Sequence, residues 1–370
     1  MTNQSAKYVR LGAGDPAPTF KQRCTSNENY AFDSVGGRYI VMCFMGSAGT
    51  DQNQERLNFF LTGENRKLFD DTKFSFFGIT ADSADETQSR LKEQMPGIRH
   101  FWDFNGLVGK LYGSLPAEAT EGRVAVRCMW FVLDPTLRIM KAIPFNDNGS
   151  DKLELLDFLK NLAPVNQFAG FEIQAPIIIL PNVFEPVFCQ KLIGLYQEDG
   201  GKESGFMQEV GGKTTLKMDN SHKKRRDYMI EDQAIIDATN ERVVRRIVPE
   251  IQKVHQFPVT RIERHIVCCY AMEDGAHFAA HRDNTTRGTA HRRFAVSINL
   301  NDDFDGGEVS FPEYGTRSFK APAGGAVIFS CSLLHAVSKV SRGRRYAFLP
   351  FLYDDAAAKI RQENEQYVSL

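Results

Sequence analysis

The apolar pattern of this chain changes character once, and that change limits the architectures open to it. Up to residue 163, short apolar runs alternate with segments of helical spacing. After Pro258 the helical spacing stops. Residues 264–270, 293–300, 307–311, 326–331 and 345–352 are short, β-branched or aromatic-rich stretches parted by Gly, Asp or Pro. The first pattern predicts a three-layer α/β sandwich. The second predicts an antiparallel double-sheet jelly roll with helical support. A chain of 370 residues also exceeds one ordinary core, so two domains are expected.

Within the first half, residues 38–45 form a nearly continuous apolar run, as a strand buried on both faces requires. Residues 53–71 follow with helical spacing (Leu57, Phe60, Leu61, Leu68, Phe69), weakened by Gly63. Residues 73–79 read as a second strand and 84–94 as a polar amphipathic helix. Residues 127–133 and 137–143 flank Asp134-Pro135 as a hairpin, and 151–162 form a helix with Leu153, Leu156, Phe158 and Leu159 to bury. Pro164 breaks that helix and opens a linker, giving domains 1–163 and 171–370 joined by 164–170. In the second domain, 176–180 predicts a strand, 184–196 a helix, and 232–256 one long helix with a stripe from Ile235 to Ile251. Residues 200–227 are polar and too long for a plain connection, which suggests a lid or a disordered loop. The basic cluster Lys223-Lys224-Arg225-Arg226 at its end reads as a solvated face, with contact to an anionic group as the alternative.

Net charge is −1, so whole-protein binding to nucleic acid or a membrane surface is not expected. Seven scattered cysteines without a CxxC pair argue for a reducing compartment. No run is long and apolar enough to span a bilayer, and a cytoplasmic location is expected.

The chemistry concentrates around His281-Arg282-Asp283. In an extended strand His281 and Asp283 point the same way, and His335 lies downstream with Arg345 beyond it. Two imidazoles and one carboxylate on one facet make the site of non-haem Fe(II) oxygenases.

Residues 267–355 resemble the Fe(II)/2-oxoglutarate dioxygenases, in their prolyl-hydroxylase-like branch. The resemblance is carried by Tyr270, by His277-Phe278-Ala279-Ala280-His281-Arg282-Asp283-Asn284, by Ile298-Asn299-Leu300-Asn301, by Gly306-Gly307-Glu308-Val309-Ser310-Phe311-Pro312, and by His335-Ala336-Val337 with Gly343-Arg344-Arg345-Tyr346-Ala347. It implies iron held by His281, Asp283 and His335, with O2 and 2-oxoglutarate as co-reactants and ascorbate as the reductant. Arg345, Tyr270 and Asn299 are the implied 2-oxoglutarate contacts. The resemblance further implies hydroxylation of a C–H bond, in a protein side chain or in a free amino acid or small metabolite, with release of succinate and CO2. No catalytic group beyond the metal centre is expected; Arg293, His277 and Phe278 are candidate substrate contacts.

The first half resembles the thioredoxin-fold peroxiredoxins through Gly12-Ala13-Gly14-Asp15-Pro16-Ala17-Pro18-Thr19-Phe20, the run at 38–45, Trp102-Asp103, and Arg127 before Phe131-Val132-Leu133-Asp134-Pro135. That family places a thiolate just after the first strand. Here the segment is Gly46-Ser47-Ala48-Gly49-Thr50-Asp51-Gln52-Asn53, with no cysteine. The expectation is a degenerate redoxin, with Cys43 and Cys24 inert and Arg127 a structural ion-pair partner. Its role is left to dimerisation, substrate docking or shaping of the entrance. A peroxidase and a non-catalytic metal-binding protein are the competing readings.

Overall fold

A computed structural model describes residues 7–118 and 125–369. It divides into two compact units, with the main boundary between Gln174 and Ala175.

The first unit is a five-stranded mixed sheet with helices. Its elements are β1 (Tyr39–Gly46), α1 (Asp51–Leu61), β2 (Phe74–Thr80), β3 (Ile98–Trp102), β4 (Met129–Leu133), β5 (Ile139–Pro144) and α2 (Ser150–Lys160). The strand order is β3-β2-β1-β4-β5. The first three run parallel, and the β4–β5 hairpin joins antiparallel. Central β1 sends Tyr39, Val41, Cys43 and Met45 into one core and Ile40, Met42 and Phe44 into the other. That is why its sequence is apolar at successive positions. Thr50 caps α1 by accepting the Asn53 N–H at 3.2 Å.

Three expectations for this unit need correction. The helix expected over 84–94 is a single turn, Ala84–Thr87, and the chain swings away at Ser89, which takes φ +52°. The segment 53–71 divides at Gly63 (φ +59°) into α1 and a 3-10 turn. On α2 the buried residues are Leu155 and Leu159, while Leu153 is 57% exposed.

The second unit has α3 (Pro186–Asp199), β6 (Lys223–Lys224), β7 (Arg226–Met229), α4 (Gln233–Arg246), α5 (Val248–His255), β8 (Ile266–Ala271), β9 (His277–His281), β10 (Phe294–Asn299), β11 (Val309–Ser310), β12 (His335–Val337), β13 (Arg344–Phe348) and β14 (Phe351–Tyr353). The larger sheet runs Arg261–Glu263, β14, β10, β13, β8, β7, Lys202–Glu203, with Ala326–Ser330 and Ile178–Leu180 branching from β10. The smaller runs β6-β9-β12-β11 and ends at Ser318–Phe319.

Alternation along the larger sheet gives it two jobs. Val267, Cys269, Val296, Ile298 and Phe348 pack on α3, α4 and α5. Cys268, Tyr270 and Ala347 turn the other way and meet Phe278 and Val337 of the smaller sheet. The two sheets therefore face each other around an inner layer, the double-sheet jelly-roll arrangement.

Residues 232–256 are two helices, because Pro249 lacks the N–H and the room that a continuous helix needs there. The supposed lid over 200–227 is strand-built: Phe206–Val210 and Lys213–Lys217 pair as a hairpin turned at Gly211-Gly212. Val368–Ser369 adds to it in parallel. The basic cluster is not one solvated face either. Lys223 and Arg225 are buried at 4% and 6% exposure, and Arg226 is exposed, as extended backbone dictates.

Candidate metal centre

Antiparallel pairing of β9 with β12 sets His281 opposite His335. Each ring then makes the same local bond. Nδ1 of His281 donates to the Ala279 carbonyl at 2.8 Å, and Nδ1 of His335 to the Leu333 carbonyl at 3.0 Å. In a neutral ring this leaves Nε2 with its lone pair outward, and the carbonyl fixes the orientation of the ring.

Asp283 is not the next residue of an extended strand, as the spacing suggested. β9 ends at His281 and Asp283 sits in a turn, its N–H donating to the Cys331 carbonyl at 2.9 Å. The turn still brings the carboxylate between the rings: Oδ1 is 3.5 Å from Nε2 of His281, and Oδ2 is 3.4 Å from Nε2 of His335. One ligand atom from each residue lies within 4.8 Å of the others. A β-bulge between Phe278 and His281 puts both on one side, so that Phe278 stacks on the imidazole at 3.5 Å.

The electrostatics agree with a ligating state. Burial, then the neighbouring His281, push the His335 pKa down to about 4. Burial opposes ionisation of Asp283, yet His335 and His281 outweigh it and hold the carboxyl below the usual carboxylate range. At neutral pH the set therefore offers an anionic oxygen and a neutral imidazole from these two residues. Two nitrogens and one carboxylate converging from one side, with no fourth protein donor among the described residues, suit a non-haem ferrous ion.

The inward face of the larger sheet carries the other polar groups. Arg345 on β13 lies opposite Tyr270 of β8 and is 2% exposed. Its Nε donates to Oδ1 of Asn299 at 2.9 Å, its Nη2 to the Ser297 hydroxyl at 2.6 Å, and the guanidinium stands 5.4 Å over the Tyr270 ring. Among the described residues no carboxylate pairs with it. A buried guanidinium without an anion is costly, and here a bound carboxylate would relieve it. Burial lowers its pKa from the ordinary arginine value. Arg344 points to the opposite side and pairs with Glu273 at the surface.

Tyr270 is buried, which raises its pKa, and its hydroxyl accepts from Arg225 at 3.2 Å. Asn299 is committed at both ends of its amide, since Nδ2 donates to the Ala321 carbonyl at 2.7 Å. Its visible work is to hold Arg345. His277 lies away from the triad, with both ring nitrogens beside backbone carbonyls, Gly275 at 3.0 Å and Ser221 at 3.1 Å. Arg293 turns back to donate to the Ala290 carbonyl at 2.9 Å.

Lys223, Arg225 and His222 are inner residues that the spacing argument passed over. Nζ of Lys223 donates to Ser204 at 2.7 Å and lies 5.1 Å over the Phe278 ring; burial pushes its pKa down to about 6. Arg225 forks onto Asp227 at 2.6 Å to each oxygen. His222 stands 6.5 Å from the His281 ring, its pKa lowered to about 4 chiefly by burial. Alternation along β6 and β7 was the available signal for the two cations.

In the first unit the loop after β1 is closed by acids. Fully buried Asp85 accepts the Ala48 N–H at 2.7 Å and the Thr80 hydroxyl at 2.5 Å, while Ser47 donates to Asp82 at 2.7 Å. Arg127 makes no ion pair among the described residues. It lies 3.7 Å over the Tyr8 ring, a cation–π contact in place of the expected ion pair.

Residues 265–353 match the family model described as the 2OG-Fe(II) oxygenase superfamily. A PKHD-type hydroxylase of Gluconobacter oxydans is 42% identical over a stretch covering 20% of this chain and 37% of that protein. The chain thus spans little more than a third of the length of the curated relatives it matches. Among solved structures, a prolyl hydroxylase from Trichoplax adhaerens, in complex with a hypoxia inducible factor peptide, is similar at 17% identity and a TM-score of 0.38, covering 57% of this chain and 95% of that one. A bacterioferritin comigratory protein of Xanthomonas campestris is similar at 17% identity and a TM-score of 0.33, covering 40% of this chain and 97% of that one. The two histidines, the aspartate and Arg345 all lie within the residues that match this model, whose description names both the metal and the cosubstrate.

Proposed function

We propose that the chain is a 2-oxoglutarate-dependent hydroxylase in which His281, Asp283 and His335 hold a ferrous ion and Arg345 anchors the far carboxylate of 2-oxoglutarate. The observation that carries this reading is the convergence of two carbonyl-tethered imidazoles on one carboxylate. When bound, ferrous iron with 2-oxoglutarate and O2 supplies the oxidising power for C–H hydroxylation, with succinate and CO2 as co-products. The protein's own part is binding and orientation. The Ala279 and Leu333 carbonyls aim the two rings, and Asn299 and Ser297 aim the guanidinium. Tyr270 and Phe278 keep water away from the inner layer. The substrate is a protein side chain of prolyl type, as the resemblance to the prolyl-hydroxylase-like branch favours, or a free amino acid or small metabolite.

We read the first unit as a thioredoxin-like redoxin that has lost peroxide chemistry, supported by its mixed sheet and by the cysteine-free loop after β1. The test of the main reading is succinate release from full-length protein with Fe(II), ascorbate and 2-oxoglutarate under O2. It is paired with a mass-spectrometric search for products that gain one oxygen, with His281→Ala as the blank. Product formation that survives in the blank would refute it.

A further inference from the structure

Arginines crowd the inward face of the larger sheet, and two of them have acids of their own. Arg225 forks onto Asp227, and Arg292 gives its Nε to Glu263 at 2.7 Å while lying 4.0 Å over the Phe351 ring. Arg345 is accounted for by the cosubstrate. Arg264 is left over. Its nearest carboxylate oxygen, Oδ2 of Asp227, is 3.6 Å away and already accepts from Arg225. Among the described residues its guanidinium makes no hydrogen bond. It rests 5.2 Å from the centre of Phe351, the same ring that Arg292 covers. Phe351 pairs with Ala295 and Glu263 and so belongs to the inward face.

Two further observations point to a ligand. Arg264 takes φ +65° between Glu263 and β8, a left-handed conformation that side chains other than glycine adopt at a cost. The backbone is thus bent in a way that presents this side chain, which remains 28% exposed and so open to an entering molecule. Burial, then Arg292 and Arg225, lower its pKa only to about 10 against the opposing Asp227, so it is a cation at neutral pH.

We infer that Arg264 receives a carboxylate of the substrate on the inward face of the larger sheet, which the smaller, triad-bearing sheet faces, and this makes the substrate a free carboxylic acid of amino-acid type. This rests on the function proposed above and narrows its substrate class. A planar guanidinium with unmet donors matches a carboxylate edge-on. A neutral prolyl side chain inside a polypeptide would leave Arg264 with only the Asp227 oxygen that it shares with Arg225.

The test uses full-length protein loaded anaerobically with Fe(II) and 2-oxoglutarate, whose visible charge-transfer absorption reports changes at the metal. The probes are the free proteinogenic amino acids and their primary carboxamides. At least one acid is expected to perturb the band with saturable binding, and its amide to bind about tenfold more weakly or worse. Arg264→Gln should bring the acid to the level of the amide without changing 2-oxoglutarate affinity. Arg264→Lys, which keeps the charge and loses the fork, should recover part of it. The inference is overturned if acid and amide bind alike, if Arg264→Gln binds the acid as well as the unmodified chain, if the loss appears in Arg293→Gln instead, or if the band forms and no acid perturbs it. Absence of the 2-oxoglutarate band altogether would overturn the proposed function and this inference together.

Discussion

Arg345 is a buried cation without an anion among the described residues, and that imbalance has a measurable sign. Arg345→Met should weaken 2-oxoglutarate binding by about 3 kcal/mol, on the order of a hundredfold. The same substitution should hold or raise the Tm of the ligand-free protein, because a buried uncompensated charge has gone. Calorimetric titration and thermal melts read both effects; a lower Tm with unchanged binding would make the guanidinium a structural group. His281→Ala and Asp283→Ala each remove one of the three proposed ligands, so iron retention after dialysis should fall more than about a hundredfold, beyond the cost of losing an outer hydrogen-bond partner. Glu263 gives a prediction away from the metal. Burial opposes its ionisation, but His291 and Arg292 outweigh that and bring its pKa from 4.5 to about 2. A folded-state pKa below the unfolded one stabilises the fold above about pH 4.5, and that contribution is lost as pH falls toward 2. It amounts to about 3 kcal/mol at most. Glu263→Gln should therefore flatten the decline in urea midpoint across that window.

At the scale of elements, local signals decided where strands and helices start, and tertiary pairing decided the rest. The side chain of Asp232 accepts the N–H groups of Ala234 and Ile235 at the start of α4, so Asp232→Ala should cost about 1 kcal/mol in urea unfolding. Pro249 marks the break between α4 and α5 in the sequence itself, although the apolar stripe runs through it. His281, His335 and Arg345 were legible from spacing together with the resemblance, and a β-bulge that the spacing did not show sets His281 on the same side as Phe278. Asp283 was legible for the wrong local reason, since a turn tied to Cys331 does what an extended strand was expected to do. The role of Asn299 was hidden, because it depends on β10 lying beside β13. The strands within 200–227 were hidden too, since one of them finds its partner at Val368–Ser369. Arg264 has no periodic signal at all: at positive φ it lies outside any strand register.

Across the whole molecule, the sulfur chemistry is uniformly quiet. Burial is the leading cause that raises the pKa of all seven cysteines, Cys24, Cys43, Cys128, Cys189, Cys268, Cys269 and Cys331. Thiolate, the reactive form, is therefore scarce at neutral pH. Full-length protein mixed with hydrogen peroxide and a thiol reductant should consume peroxide no faster than the reductant alone, as a coupled peroxide assay would show. No helix among the described residues is long and apolar enough to cross a membrane.

The Asp85 carboxylate, sealed against the Ala48 amide just ahead of α1, bears on any attempt to restore a redox function by protein engineering. That acid is already paired, since Arg90 donates to Asp85 at 3.1 Å and to Asp82 at 3.2 Å, and a side chain placed at Gly49 would begin 2.5 Å from the Arg90 Nη1. A cysteine grafted at that position would displace the guanidinium and break its pairing with both acids, so the graft would disturb the loop's own ion pairs before it met any peroxide.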